Sequence, residues 1–179
     1  MKKKIRREKK SECEELNSLL GGMILEGPLT INVKSQNDWH LRVEMTAYSE
    51  EFQEIVTRIL PSYQFEKLDV IHVSVVHGSE FRNLTESEKN LFLQAVDKFK
   101  NVEIQLTKCV SNVNLGFSKY DRNTKKIFVN HATHYVAIDC LSPQFEEIRM
   151  FLKKPMKNFR PHLTLATDYF SFAEVKNKF

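Results

Sequence analysis

The chain has 179 residues, 41% of them apolar, which is material for one domain with a sizeable core. No apolar run reaches the ~18 to 20 residues that cross a bilayer, and no apolar stretch follows the basic amino terminus, so neither a membrane span nor a secretory signal is expected. The three cysteines have no C-x-x-C spacing, which argues against a disulfide framework or zinc knuckle and for a reduced, intracellular setting.

The net charge of +4 conceals a split, because residues 1–10 hold seven Lys or Arg against one Glu, a local +6, leaving −2 for residues 11–179. This basic arm suits phosphate attraction or nuclear import, or is a solvated terminus. Residues 11–37 show little periodicity, and Gly21-Gly22 with Gly27-Pro28 predict turns. Residues 1–35 therefore read as a basic arm and irregular lead-in, and 36–179 as a single domain.

From Trp39 to Thr46, apolar residues (Trp39, Leu41, Val43, Met45) alternate with polar ones (His40, Arg42, Glu44, Thr46), the period of a half-buried strand with His40 on its polar face. A helix follows, with Ser49 as its expected cap and Phe52, Ile55, Val56 and Ile59 as its stripe, ending at Pro61. A strand is predicted at 70–76. Thr85 and Glu88 then form a capping box for a helix carrying Leu91, Phe92, Ala95, Val96 and Phe99. Strand-like segments near 102–107, 110–118 and 126–130 come next, the last two joined by a turn at Asp121-Arg122-Asn123-Thr124. Tyr135 to Cys140 is a further apolar run. Ser142-Pro143 opens a helix with Phe145, Ile148, Phe151 and Leu152, and a strand from His162 follows.

Two stretches share one pattern: Ile71-His72-Val73-Ser74-Val75 and Pro161-His162-Leu163-Thr164-Leu165. Alternate residues of a strand face the same side about 7 Å apart, so His72 pairs with Ser74 and His162 with Thr164, while the intervening apolar residues face a core. Six His and 21 Ser plus Thr predict roughly 0.7 chance matches to H-x-[ST], and the chain has four. His77-Gly78-Ser79 and His131-Ala132-Thr133 lack flanking alternation and read as loop coincidences. His77 would also face away from His72 if the strand continued. His131-x-x-His134 reads as a loop pair, since no third ligand sits at metal spacing.

The segments before the two strands also correspond. Ser49 to Ile55 and Ser142 to Ile148 share S-x-x-F-x-E-I, and each helix lies between an apolar strand and an H-x-[ST] strand. Such a duplication predicts two lobes related by a pseudo-twofold axis, with both histidines at the cleft between them. Two imidazoles flanking one phosphate suit acid–base chemistry without a metal or other cofactor. One takes the proton of a ribose 2′-OH as it attacks phosphorus, the other protonates the departing 5′-oxygen, and a 2′,3′-cyclic phosphate results.

Paired H-x-[ST] strands in a duplicated lobe resemble the two-histidine (2H) phosphoesterases. Trp39 and its strand, Ile71 to Val75, the capped helix after it, Asn112-Val113 and Pro161 to Ala166 are most similar to the branch that trims the 3′ end of U6 small nuclear RNA. The resemblance covers about 36–168. It implies an α+β fold of two antiparallel lobes with helices packed outside. It also implies a monomeric, nuclear, metal-independent 3′–5′ exoribonuclease acting on a single-stranded oligouridine end. By motif match, His72 and His162 are the acid and base, in either order, and Ser74 and Thr164 bind phosphate. In that branch a tyrosine upstream of the second motif stacks on the terminal base. Here no tyrosine lies between Tyr135 and Tyr169, and Phe159 is the nearest candidate for stacking. The alternatives are a 2H enzyme that opens cyclic phosphates on RNA ends or small nucleotides, and a non-catalytic RNA-binding module.

Overall fold

The computed structural model describes residues 12–61, 64–65, 71–81, 83–121 and 126–171. The basic arm and the turn expected at 121–124, apart from Asp121, lie outside the described residues. The elements run α1 (12–20), β1 (Ile24–Ser35), β2 (Asp38–Glu44), α2 (Ser49–Ile59), β3 (Gln64–Phe65) and β4 (His72–Val76). They continue with α3 (Glu86–Phe99), β5 (Asn101–Asp121), β6 (Lys126–Leu141), α4 (Pro143–Phe151) and β7 (His162–Ser171). Among the described residues no helix is long and apolar enough to cross a membrane.

The fold is α+β, with helices and an antiparallel sheet ordered β3-β7-β4-β2-β1-β5-β6. Since β6 also pairs with β7, the six longer strands close on themselves. The order repeats through the chain: α1-β1-β2-α2-β4 in the first half and α3-β5-β6-α4-β7 in the second. The two halves join where residues 24–28 of β1 pair with 101–105 of β5, and again where β4 meets β7. Each connecting helix contacts the other half's histidine strand, α2 against β7 and α4 against β4.

The irregular lead-in is corrected by this arrangement. Residues 12–20 are helical, with Leu16 and Leu20 fully buried one turn apart, and β1 is a central strand that alternates buried Leu25, Gly27 and Leu29 with exposed Ile24, Glu26 and Pro28. The glycine that suggested a turn has a different purpose. A Cβ at Gly27 would collide with the Glu44 carbonyl, so only glycine lets β1 approach the end of β2. Asn17 of α1 also accepts the Cys109 N–H at 2.6 Å, beside the register shift between Leu106 and Cys109. That shift breaks the alternation of β5, which is why one long strand looked like two. The run 126–141 is likewise a single strand, so His131 and His134 lie in β6 and not in a loop; their side chains lie outside the described residues.

Helix ends follow the chemistry expected at two of three sites. Glu88 N–H donates to Thr85 Oγ1 at 3.2 Å while Thr85 N–H donates to Glu88 Oε2 at 2.8 Å. Ser142 Oγ accepts from Gln144 N–H at 3.2 Å, with Pro143 in the first turn. Ser49, however, is the first residue of α2 and not its cap, because a 3-10 turn at Thr46–Tyr48 runs straight into the helix. The predicted stripes face inward: Phe52 and Val56, Phe92 and Ala95, and Phe145 and Ile148 are all buried.

Candidate active site

The two histidine strands lie side by side and antiparallel, with Val73 opposite Leu163. Both residues are 0% exposed and face the core, so their neighbours face the other way. Antiparallel counting then puts His72 opposite Thr164 and Ser74 opposite His162. Directly opposed residues share a face, and the two histidines fall on its diagonal, about 7–8 Å apart at Cα. The structure thus brings together all four residues expected from the motifs.

The flanking strands extend this face. On β2, Glu44 is opposite His72 and Arg42 is opposite Ser74; on β6, Asp139 is opposite His162 and Ala137 is opposite Thr164. Each ladder then skips one residue, Val75 on β4 and Leu165 on β7, directly after the hydroxyl side chain. Two equivalent bulges at equivalent positions bend both strands away at the same point. In both halves a carboxylate therefore sits across from the catalytic candidate.

His162 is exposed, and its Nδ1 lies 3.0 Å from the Arg160 carbonyl, an oxygen that can only accept. In the neutral ring the proton is thus on Nδ1, which puts the lone pair on Nε2. Tyr135 of β6 stacks on the ring at 6.4 Å and 23°. Arg160 Nη2 donates to Asp139 Oδ2 at 3.2 Å, and this bond with the carboxylate's charge pushes the guanidinium's pKa up. His72, Ser74 and Thr164 are half-buried.

A cleft of about 570 Å³ opens at this face, with Ser74, His77, Arg149, Lys157, Phe159 and His162 in its wall. His72 and Thr164 share the face without lining the cleft. A second cavity, on the outer surface of α2 around Glu50, Gln53 and Arg58, holds none of the candidate residues. Among the described residues no three His, Cys, Asp or Glu side chains come together as a metal site.

Phe159 is in the cleft wall but is already engaged. The Arg149 guanidinium lies 4.3 Å from its ring centroid, and Phe145 meets it edge-on at 5.6 Å. Tyr135 lies against His162, which the sequence places 27 residues after it and the β6–β7 ladder brings back to it.

Arg149 is the residue that sequence periodicity missed. Its Nη1 donates to the Val75 carbonyl at 2.7 Å, its Nη2 to Glu80 Oε1 at 2.7 Å, and its Nε to the Pro155 carbonyl at 3.1 Å. One guanidinium thus ties the end of β4, the 3-10 turn at Gly78–Glu80 and the approach to β7. Burial pushes the Glu80 carboxyl up, but hydrogen bonds from Arg149 and the His77 N–H, with the charges of Arg149 and Lys154, outweigh it and hold the carboxyl below its ordinary range.

The H-x-[ST] match at His77 is indeed a turn, yet it belongs to the cleft. His77 Nδ1 accepts from Ser79 N–H at 3.2 Å, and its ring lies 4.3 Å from His40. His40 faces the polar side of β2 as expected, but it is buried beneath this turn, with Nε2 2.9 Å from Asp38 Oδ1. Burial first, then the charges of His77 and Lys34, depress its pKa against the pull of Asp38. A Cβ at Gly78 would strike the side chains of Asp38 and His40, so any larger residue there would displace their contact or the turn above it.

Comparison with protein-family models, curated proteins and solved structures found no match. The reading of this face therefore rests on its own chemistry.

Proposed function

We propose that the protein is a 2H phosphoesterase that cleaves RNA at its 3′ end, on the pattern of the enzymes that trim the oligouridine tail of U6 small nuclear RNA. The observation that carries this reading is the Val73–Leu163 register, which sets two imidazoles diagonally across one face with a hydroxyl beside each. An imidazole titrates near pH ~6.5, so at neutral pH one ring can accept a proton while the other donates one.

His162, with its lone pair on Nε2, is suited to take the 2′-OH proton, which leaves the acid role to His72. The O2′–P bond forms, the P–O5′ bond breaks, and His72 protonates the departing O5′. Ser74 and Thr164 donate to the non-bridging oxygens as charge grows there. Tyr135, beside His162, is better placed than Phe159 to meet the terminal base. A nuclear location and a single-stranded RNA partner belong to the same proposal.

The test is incubation of the full chain, in EDTA, with a 5′-labelled RNA ending in a short run of uridines, beside His72→Ala and His162→Ala. Stepwise shortening lost in both variants supports the proposal, and the pH–rate profile should be a bell. Shortening that persists in either variant, or that needs a divalent ion, would sink the mechanism. An intact RNA with ready opening of a 2′,3′-cyclic phosphate would redirect the assignment to a cyclic phosphodiesterase. Inertness toward both would leave an RNA-binding module.

A further inference from the structure

Beside the four motif residues, the same face carries a charge that the two-histidine scheme does not use. Arg42 is directly opposite Ser74, and its side chain is only 13% exposed. Its Nη2 donates to Glu44 Oε1 at 3.1 Å, and Glu44 is itself opposite His72. Among the described residues its Nε is buried with no partner. A guanidinium presents five N–H groups in a fixed fork, and leaving one of them buried and unpaired is costly unless a ligand completes it.

The second half supplies an internal comparison. There the carboxylate is kept, Asp139 opposite His162, but the position equivalent to Arg42 is Ala137, opposite Thr164. The same bulged ladder is therefore built without an arginine. The backbone arrangement does not need Arg42, and its burial on one side of the face only calls for another reason.

Resting on the phosphodiester reading above, we propose that Arg42 is an anion-contacting residue of the site. Its guanidinium takes a non-bridging phosphate oxygen next to Ser74, and Glu44 is the positioning residue that holds the fork in place. The phosphate is then drawn toward the first half, with charge-assisted bonds on the Arg42 side and the neutral Thr164 hydroxyl on the other. The competing role is a purely structural ion pair between neighbours on β2.

The experiment measures binding of uridine 3′-monophosphate to the full chain as a function of salt, together with kcat and KM on the uridine-ended RNA. Arg42→Gln, Arg42→Lys and Glu44→Gln are compared with native protein. Arg42→Gln should bind the mononucleotide on the order of tenfold to a hundredfold more weakly, with a log–log salt slope shallower by about 0.7. Arg42→Lys should keep the slope while losing affinity, since it keeps the charge and loses the fork. Glu44→Gln should keep the slope and lower kcat. Affinity and slope unchanged in Arg42→Gln, with native protein binding well, would overturn this inference and leave the phosphodiesterase proposal standing. Native protein that neither binds nor cleaves would overturn both.

Discussion

Replacing Arg149 with Met tests whether one buried guanidinium holds the cleft wall together. Its side chain is 2% exposed and Glu80's is 30%, so the pair is largely shielded from water. Met keeps the apolar length but strips the Val75 and Pro155 carbonyls of their donor and leaves the Glu80 carboxylate with the His77 N–H but no guanidinium. Breaking a buried pair from one side costs roughly 3–5 kcal/mol, and the exposure of Glu80 puts this case near the lower figure. Urea titration should show that loss, and the melting temperature should fall by about 6–12 °C for a chain of this size. Glu80→Gln keeps hydrogen-bonding capacity and should cost less, while changing the pH response. Because the folded carboxyl titrates below its ordinary value of about 4.3, its contribution is complete above that pH and disappears as pH falls through the lower folded value. The variant should therefore lose stability less steeply on acidification than native protein. If Arg149→Met cost under about 1 kcal/mol, the loops would be holding themselves and the assigned role would be wrong.

Leu16→Ala should cost about 2–5 kcal/mol in the same titration, since the side chain is fully buried, whereas a dispensable lead-in would show almost no loss. Thr85→Ala should cost about 1 kcal/mol by removing one side of the capping box. Gly78→Ala should weaken activity on uridine-ended RNA more than it lowers stability, because the displaced turn carries His77 and Ser79 into the cleft. His40→Asn should lessen the stability lost as pH falls below about 6.5, where the unfolded histidine binds a proton that the buried one resists.

The candidate face was legible because alternation is a local property. Val73 and Val75, or Leu163 and Leu165, fix which way His72, Ser74, His162 and Thr164 point, whatever the rest of the chain does. The lead-in was not legible because the signals at Gly27-Pro28 are ambiguous without a neighbour. Gly27 is required by the approach of Glu44, and Pro28 lies at an exposed position where β1 ends its ladder with β5. Arg149 lies on the inward side of α4, where a charge at helical spacing looks like solvated surface until its acceptors are brought in from positions 75, 80 and 155. Tyr135 was passed over for a similar reason. Distance along the chain is a poor guide across an antiparallel ladder, and β6 turns a separation of 27 residues into a ring contact.

The duplicated order explains why the site exists only when both halves are present. Each histidine strand pairs with a strand of its own half on one side and with the other histidine strand on the other, and it is contacted by the helix of the opposite half. Each half thus supplies one histidine of the pair and the helix that packs against the other half's histidine strand. At the seam between them β7 meets the first half in short ladders, Val73–Leu163 with β4 and Gln64–Thr167 and Phe65–Ala166 with β3, whereas β6 and β7 run together from His131 to Asp139. Packing beneath the seam adds to these ladders, with Val73, Val75, Leu163 and Leu165 all fully buried. Core and site occupy opposite faces of the same residues' strands, so shortening a core side chain at 73 or 163 should change the spacing of the two histidines before it unfolds the protein.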